Sequence, residues 1–200
     1  MSGLYRTGKL LLAPVLRAGF RLRVDGAENI PAEGGFVLCC NHRSVYDPCL
    51  LAAACPRPIR FMAKSELFEE HGKAVKKLLL ALDAFPVRRD SGDAEAARTA
   101  VSVLKEGGVL GIFPQGRCVP EGVPFQAKAG AALIAEKARV PVLPACVSCQ
   151  GPLRPLSRAA IRFGTVIPYA ELFPDGARKR VREASRKIAE QINLLLEEKV

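Results

Sequence analysis

Tryptophan is absent from this chain, and aromatic residues make up only 6% of its 200 positions. Its core must therefore be built from Leu, Val, Ala and Ile. No run reaches the ~18 apolar residues that a bilayer-spanning helix needs. A secretory signal is not expected either, because Arg17, Arg21 and Arg23 interrupt and follow the early apolar stretch. Histidine is scarce, with only His42 and His71. Seven cysteines are present, at positions 39, 40, 49, 55, 118, 146 and 149. Their odd number and irregular spacing do not form a disulfide framework. Several sit in apolar runs, where Cys acts as a small hydrophobe, and a reducing cytosolic compartment is implied. Cys146 and Cys149 match C-x-x-C, but they fall in an apparent strand and its exit, and no second pair has zinc spacing. Zinc-finger pairs and aromatic-flanked basic motifs are also missing, so no nucleic-acid partner is expected.

What the sequence does have is a globular balance, 49% hydrophobic and 25% charged, with a net charge of +10. That excess suits an anionic surface or acidic partner. Residues 4–20 mix Leu, Val and Phe with Arg6, Lys9 and Arg17. Two readings are open: an interfacial amphipathic segment whose cations meet anionic lipid, or an ordinary helix docked on the domain. Residues 1–20 are set apart as this segment, and residues 21–200 as one domain. Strand patterns are expected at Leu22–Val24, Phe36–Cys40, Ile59–Ala63, Phe85–Val87, Val109–Phe113, Val142–Val147 and Ala160–Val166. Helical patterns are expected at Tyr46–Ala54, Gly72–Leu82, Asp93–Lys105 (capped by Ser91 or Asp93), Ala127–Lys137 and Ala177–Glu198. This alternation predicts a single layered α/β domain, a mostly parallel central sheet flanked by helices, with its site at strand ends.

The segment Asn41-His42-Arg43-Ser44-Val45-Tyr46-Asp47 follows an apolar strand and precedes a helix. A histidine there, with a carboxylate five residues on, is a candidate base and orienting partner. In a straight helix that offset keeps the side chains apart. The pair meets only if His42 lies in the entry loop and Asp47 in the first helical turns. His71, between Glu70 and Gly72, reads as a surface residue. Lys73, Lys76 and Lys77 read as a solvated face that also suits anionic lipid headgroups or an acidic protein partner.

Asn-His-x4-Asp resembles the first motif of the glycerophospholipid acyltransferases, especially the 1-acyl-glycerol-3-phosphate acyltransferases. Further blocks follow in order. Ala84-Phe85-Pro86-Val87-Arg88-Arg89 resembles the second motif, in which an arginine, here Arg89, binds phosphate. Ile112-Phe113-Pro114-Gln115-Gly116 resembles the third, Phe-Pro-Glu-Gly-Thr-Arg-Ser. Lys128-Ala129-Gly130-Ala131-Ala132 resembles the helix start after it, and Val140-Pro141-Val142-Leu143-Pro144 the fourth. Val24–Pro31 resembles the family's lead-in. The third motif departs, with Gln115 for Glu, Arg117 for Thr and Cys118 for Arg. The usual Glu is implicated in holding the acceptor, so the acceptor is the point these changes touch.

The resemblance implies a glycerol-3-phosphate-acyltransferase-like fold and one-step transfer from acyl-CoA or acyl carrier protein to a lysophosphatidic-acid hydroxyl. His42 is then the base, oriented by Asp47. Arg89, Gln115, Gly116, Arg117 and Lys128 are then substrate-binding, with no metal or redox cofactor. The early amphipathic segment, the spread basic charge and the lack of a spanning run lead to the expectation of a peripheral protein on the cytoplasmic face of the cell membrane, at an anionic surface. Alternatives are another lyso-lipid acceptor, such as an ornithine-type one, and a non-catalytic lipid-binding homologue.

Overall fold

The computed structural model describes residues 3–70, 72–88, 93–119, 123, 125–174 and 180–197. In chain order the helices are α1 (Gly3–Gly19), α2 (Asp47–Ala54), α3 (Glu66–Glu69), α4 (Gly72–Ala81), α5 (Ala94–Lys105), α6 (Gly130–Ala138), α7 (Tyr169–Leu172) and α8 (Arg180–Glu197). The strands are β1 (Arg23–Asp25), β2 (Phe36–Cys40), β3 (Ile59–Lys64), β4 (Phe85–Val87), β5 (Val109–Ile112), β6 (Val142–Cys149) and β7 (Ala159–Phe163). They form one sheet in the order β1-β7-β6-β2-β5-β3-β4. β6, β2, β5, β3 and β4 run parallel, while β7 pairs antiparallel with β6 and carries β1 parallel to itself.

β2 lies in the middle of this sheet and is buried on both faces, which is why it reads as an unbroken apolar run. Phe36, Leu38 and Cys40 face one core with Leu50 and Leu51 of α2 and Phe61 of β3. Val37 and Cys39 face the other, with Ala100 and Leu104 of α5, Ala132 of α6, and Ile188 and Ile192 of α8. The reversal at β7 follows from its connection. Residues 150–158 contain no helix, and a parallel return needs a crossover of roughly a dozen residues or more.

α1 packs on α2. The Lys9 ammonium donates to the carbonyls of Cys55 and, at 3.1 Å, Pro56. Arg17 donates to Ala53 O at 3.1 and 3.3 Å. These cations thus cap the carbonyl end of α2, where a helix favours positive charge. Leu10, Leu11, Leu12 and Val15 are left exposed on the same helix. No described helix is long and apolar enough to cross a membrane.

At element ends the structure corrects the start of one helix and settles the cap of another on one of its two expected residues. α6 starts at Gly130, so Lys128 lies in the irregular stretch before it. The α5 cap is Asp93, which accepts from Ala96 N–H at 3.0 Å; Ser91 lies outside the described residues. The short helices α3 and α7 were not expected, being too brief to show a period. Residues 177–179 and 198 of the expected last helix lie outside the described residues.

Candidate active site

The candidate site forms beyond the carboxyl ends of the paired strands β2 and β5. The exit from β2 is pinned first. Asn41 is buried, accepts Val147 N–H at 2.7 Å and donates to Val147 O at 3.0 Å. A side chain here pairs with the backbone of β6 one position past the ladder. The chain then leaves the sheet, and residues 42–46 turn it into α2.

Asp47 opens α2, with Pro48 behind it, a residue that helix starts tolerate. Its carboxylate points back at the loop. Oδ2 lies 2.8 Å from His42 Nδ1 and accepts Arg43 N–H at 2.6 Å and Ser44 N–H at 2.8 Å. The expected loop-to-helix geometry is therefore present. Asp47 is fully buried, whereas the His42 side chain keeps 17% of its exposure. A carboxylate at Nδ1 is an acceptor, so that nitrogen carries the proton and Nε2 keeps its lone pair. Nε2 has no hydrogen-bond partner among the described residues.

The segment leaving β5 folds over His42. The Phe113 ring stacks on the imidazole with centroids 4.2 Å apart and planes 22° apart. Gly116 N–H closes a turn onto Phe113 O at 2.9 Å, and Gly116 has a φ of 74°, a region that suits glycine. Lys128 donates its backbone N–H to Pro114 O at 2.9 Å, and its ammonium lies 3.4 Å from where a Gly116 Cβ would sit. Lys128 and Gly116 are thus brought together beside His42.

These residues share a cavity of about 650 Å³, within the range of small-ligand pockets. His42, Lys64, Gly116 and Lys128 contribute to its polar lining; Phe61, Met62, Leu79, Val87, Ile112 and Ile134 are part of its apolar lining. Lys64 pairs with Glu66 at 2.7 Å. Cys49 also lines the cavity, and burial, then Asp47, pushes its thiol pKa up, which suits wall packing rather than nucleophilic attack. No group of three His, Cys, Asp or Glu side chains is placed to hold a metal among the described residues.

The remaining expected residues fall elsewhere. Gln115 is not in the cavity lining; its Oε1 accepts the His42 backbone N–H at 2.7 Å. Arg117 is exposed and also outside the lining. Arg89 and His71 lie outside the described residues. Sequence reasoning gave no role to Asn41, Phe113 or Lys64. Phe113 stood within a recognised motif, but nothing in that string announces a stack on a histidine 71 positions earlier (113 − 42).

A family model described as acyltransferase matches residues 21–148, the stretch that holds the pair, the turn and the lysine. The chain belongs to the acyltransferase family. The acyltransferase described here is 39% identical over 138 residues to a 1-acyl-sn-glycerol-3-phosphate acyltransferase of Bacillus subtilis, covering 68% of this chain and 65% of the relative. It is 32% identical over 151 residues to an enzyme of the same name from Streptococcus pneumoniae, covering 72% and 55%. The matched stretch thus spans less than two thirds of either relative's length. The fold resembles the crystal structure of the 1-acyl-sn-glycerophosphate (LPA) acyltransferase PlsC from Thermotoga maritima. The TM-score is 0.70 at 22% identity, over 96% of this chain and 82% of that one.

Proposed function

We propose that this acyltransferase moves a fatty acyl group from acyl-CoA or acyl carrier protein to the free hydroxyl of 1-acyl-glycerol-3-phosphate, giving phosphatidic acid. The observation that carries the reading is the 2.8 Å contact of His42 Nδ1 with buried Asp47, in the lining of a largely apolar cavity. The named activity of the relatives supports the choice of acceptor.

His42 Nε2 takes the proton of the acceptor hydroxyl as its oxygen attacks the thioester carbonyl carbon. Asp47 keeps the imidazole in the Nδ1–H tautomer and steadies the imidazolium, the roles it has in hydrolase triads. The tetrahedral adduct collapses, the carbon–sulfur bond breaks, and the imidazolium proton goes to the thiolate. The step balances with donor and acceptor alone, so it calls for no metal or redox cofactor. Lys128 serves the acceptor phosphate as a point charge, and Gly116 leaves room beside it. Arg89 is assigned to the same phosphate by its place in the second motif, and Arg117, one position before the third motif's usual arginine, is kept as a substrate-binding cation. The apolar wall takes an acyl chain.

The protein is also assigned to the cytoplasmic face of the membrane, as a peripheral enzyme. Exposed Leu10, Leu11, Leu12 and Val15 of α1 and Leu78 and Leu80 of α4 support contact with a lipid surface. Exposed Lys73, Lys76 and Lys77 suit an anionic one. The test is product analysis with palmitoyl-CoA and palmitoyl carrier protein as donors. Phosphatidic acid from lysophosphatidic acid is the expected outcome. Acylation of an ornithine-type lyso-lipid alone would replace lysophosphatidic acid as the acceptor, and inactivity on every acceptor would leave a lipid-binding homologue.

A further inference from the structure

The segment from Phe113 to Val119 holds His42 at three points. Gln115 Oε1 accepts the His42 N–H at 2.7 Å, and the His42 carbonyl accepts Val119 N–H, also at 2.7 Å. The third point is the ring face, covered by Phe113. Phe113 is backed in turn by Phe61, with planes 7° apart and centroids 6.1 Å apart. Phe61 has its place because position 111, beside it in the sheet, is glycine. A Cβ there would sit 2.6 Å from Phe61 Cδ1.

We infer that this segment is a clamp for the base, in which Gln115, outside the cavity lining, is a positioning residue for His42 rather than a contact for the acceptor, and Phe113, within the lining, positions the ring. The inference rests on the reading of His42 as general base. His42 lies in irregular backbone, and Asp47 fixes only one ring nitrogen. A ring tethered at that point alone still pivots as its own backbone shifts, and misplacement by ~1 Å costs on the order of 100-fold in rate. Gln115 removes that freedom at the peptide and Phe113 at the ring face. The aromatic face also favours the imidazolium that forms during transfer. The bond at position 115 needs an acceptor oxygen and no charge. Glutamine therefore serves where relatives of the resembling motif carry glutamate, and a carboxylate restores the same bond.

The test uses the full chain with Gln115→Met, Gln115→Glu and Phe113→Leu, each checked for folding by its melting transition. The first readout is hydrogen exchange at the His42 amide by NMR. Exchange about 10-fold faster in Gln115→Met, returned to the wild-type rate in Gln115→Glu, is expected from loss and recovery of one hydrogen bond. Unchanged exchange in Gln115→Met overturns the clamp, whatever the enzyme turns over. The second readout is steady-state kinetics. Gln115→Met and Phe113→Leu are expected to lower kcat about 10- to 100-fold while the acceptor KM stays within about twofold. A raised acceptor KM with kcat retained would make Gln115 an acceptor contact and overturn the inference. If Gln115→Met does not fold, Phe113→Leu carries the same kcat-against-KM test. Faster exchange in a protein that acylates no acceptor supports the clamp and sinks the proposed reaction instead.

Discussion

Asp47 places three donors on a single oxygen, Oδ2, in a site with no exposure. Asp47→Asn keeps the shape but removes the charge and turns one side of the group into a donor. The expected loss in kcat is about 100- to 10,000-fold, because the imidazole loses both its tautomer and its counter-charge. Stability should fall by about 1–3 kcal/mol as well, since a neutral oxygen replaces the charged one that the donors share and the new NH2 takes the buried Oδ1 place, which has no partner. Steady-state kinetics beside urea unfolding would separate the two effects. At this scale the pair was legible in the sequence because it is local: five positions, spanning a loop and a helix start. Gln115 and Phe113 were not. Their contacts with His42 arise from the pairing of β2 with β5, and no linear spacing encodes which side of a turn meets a neighbouring strand's exit. Gln115 was therefore read as a ligand for substrate, whereas the structure sets it against a backbone amide.

Two helices carry predictions of their own. α1 is held by Lys9 and Arg17 on the end of α2, and burial is the main cause lowering the Lys9 pKa. Arg17→Ala should cost about 1 kcal/mol or less in thermal unfolding, because Arg17 is an exposed residue bonding a helix-end carbonyl. α5 begins at Asp93, whose carboxylate accepts Arg88 N–H at 2.9 Å and Ala96 N–H at 3.0 Å. Those backbone bonds, Arg88 first, hold its pKa below the usual carboxylate range. A depressed folded-state pKa adds stability above the unfolded value of about 4, lost as pH falls through the folded value. The melting-temperature advantage of wild type over Asp93→Ala should be full at pH 7 and shrink below pH ~4. An advantage independent of pH would contradict the charged cap. Asp93 also ties the end of β4 to α5, across the stretch that contains Arg89. Periodicity revealed two unlike faces on α1, but it did not say which would find a protein partner. The cations found one in the α2 carbonyls, and the leucines stayed outside.

Across the whole molecule, strand–helix alternation made the parallel sheet legible. The reversal lies where two strand patterns, Val142–Val147 and Ala160–Val166, follow each other without a helix between them. The cavity wall was not legible, because its residues come from β3, β4, β5, α4 and α6 and meet only in the folded chain. The exposed leucines of α1 and the exposed lysines of α4 belong to two helices in contact with each other. Vesicle co-sedimentation should show binding to anionic lipid that weakens with salt. The double variant Leu11→Glu, Val15→Glu should reduce it about 10-fold or more, since each apolar side chain contributes about 1.5–3 kcal/mol when fully buried. Unchanged binding would move the contact surface elsewhere.

The central claim is that His42 is the base of an acyl transfer to a lyso-lipid hydroxyl. The most direct measurement is acceptor-dependent thiol release from a palmitoyl thioester, in wild type and His42→Ala side by side. Release is expected to require the lyso-lipid, to yield its diacyl product in equal amount, and to fall at least about 100-fold in the variant. Equal rates in the two proteins would contradict it.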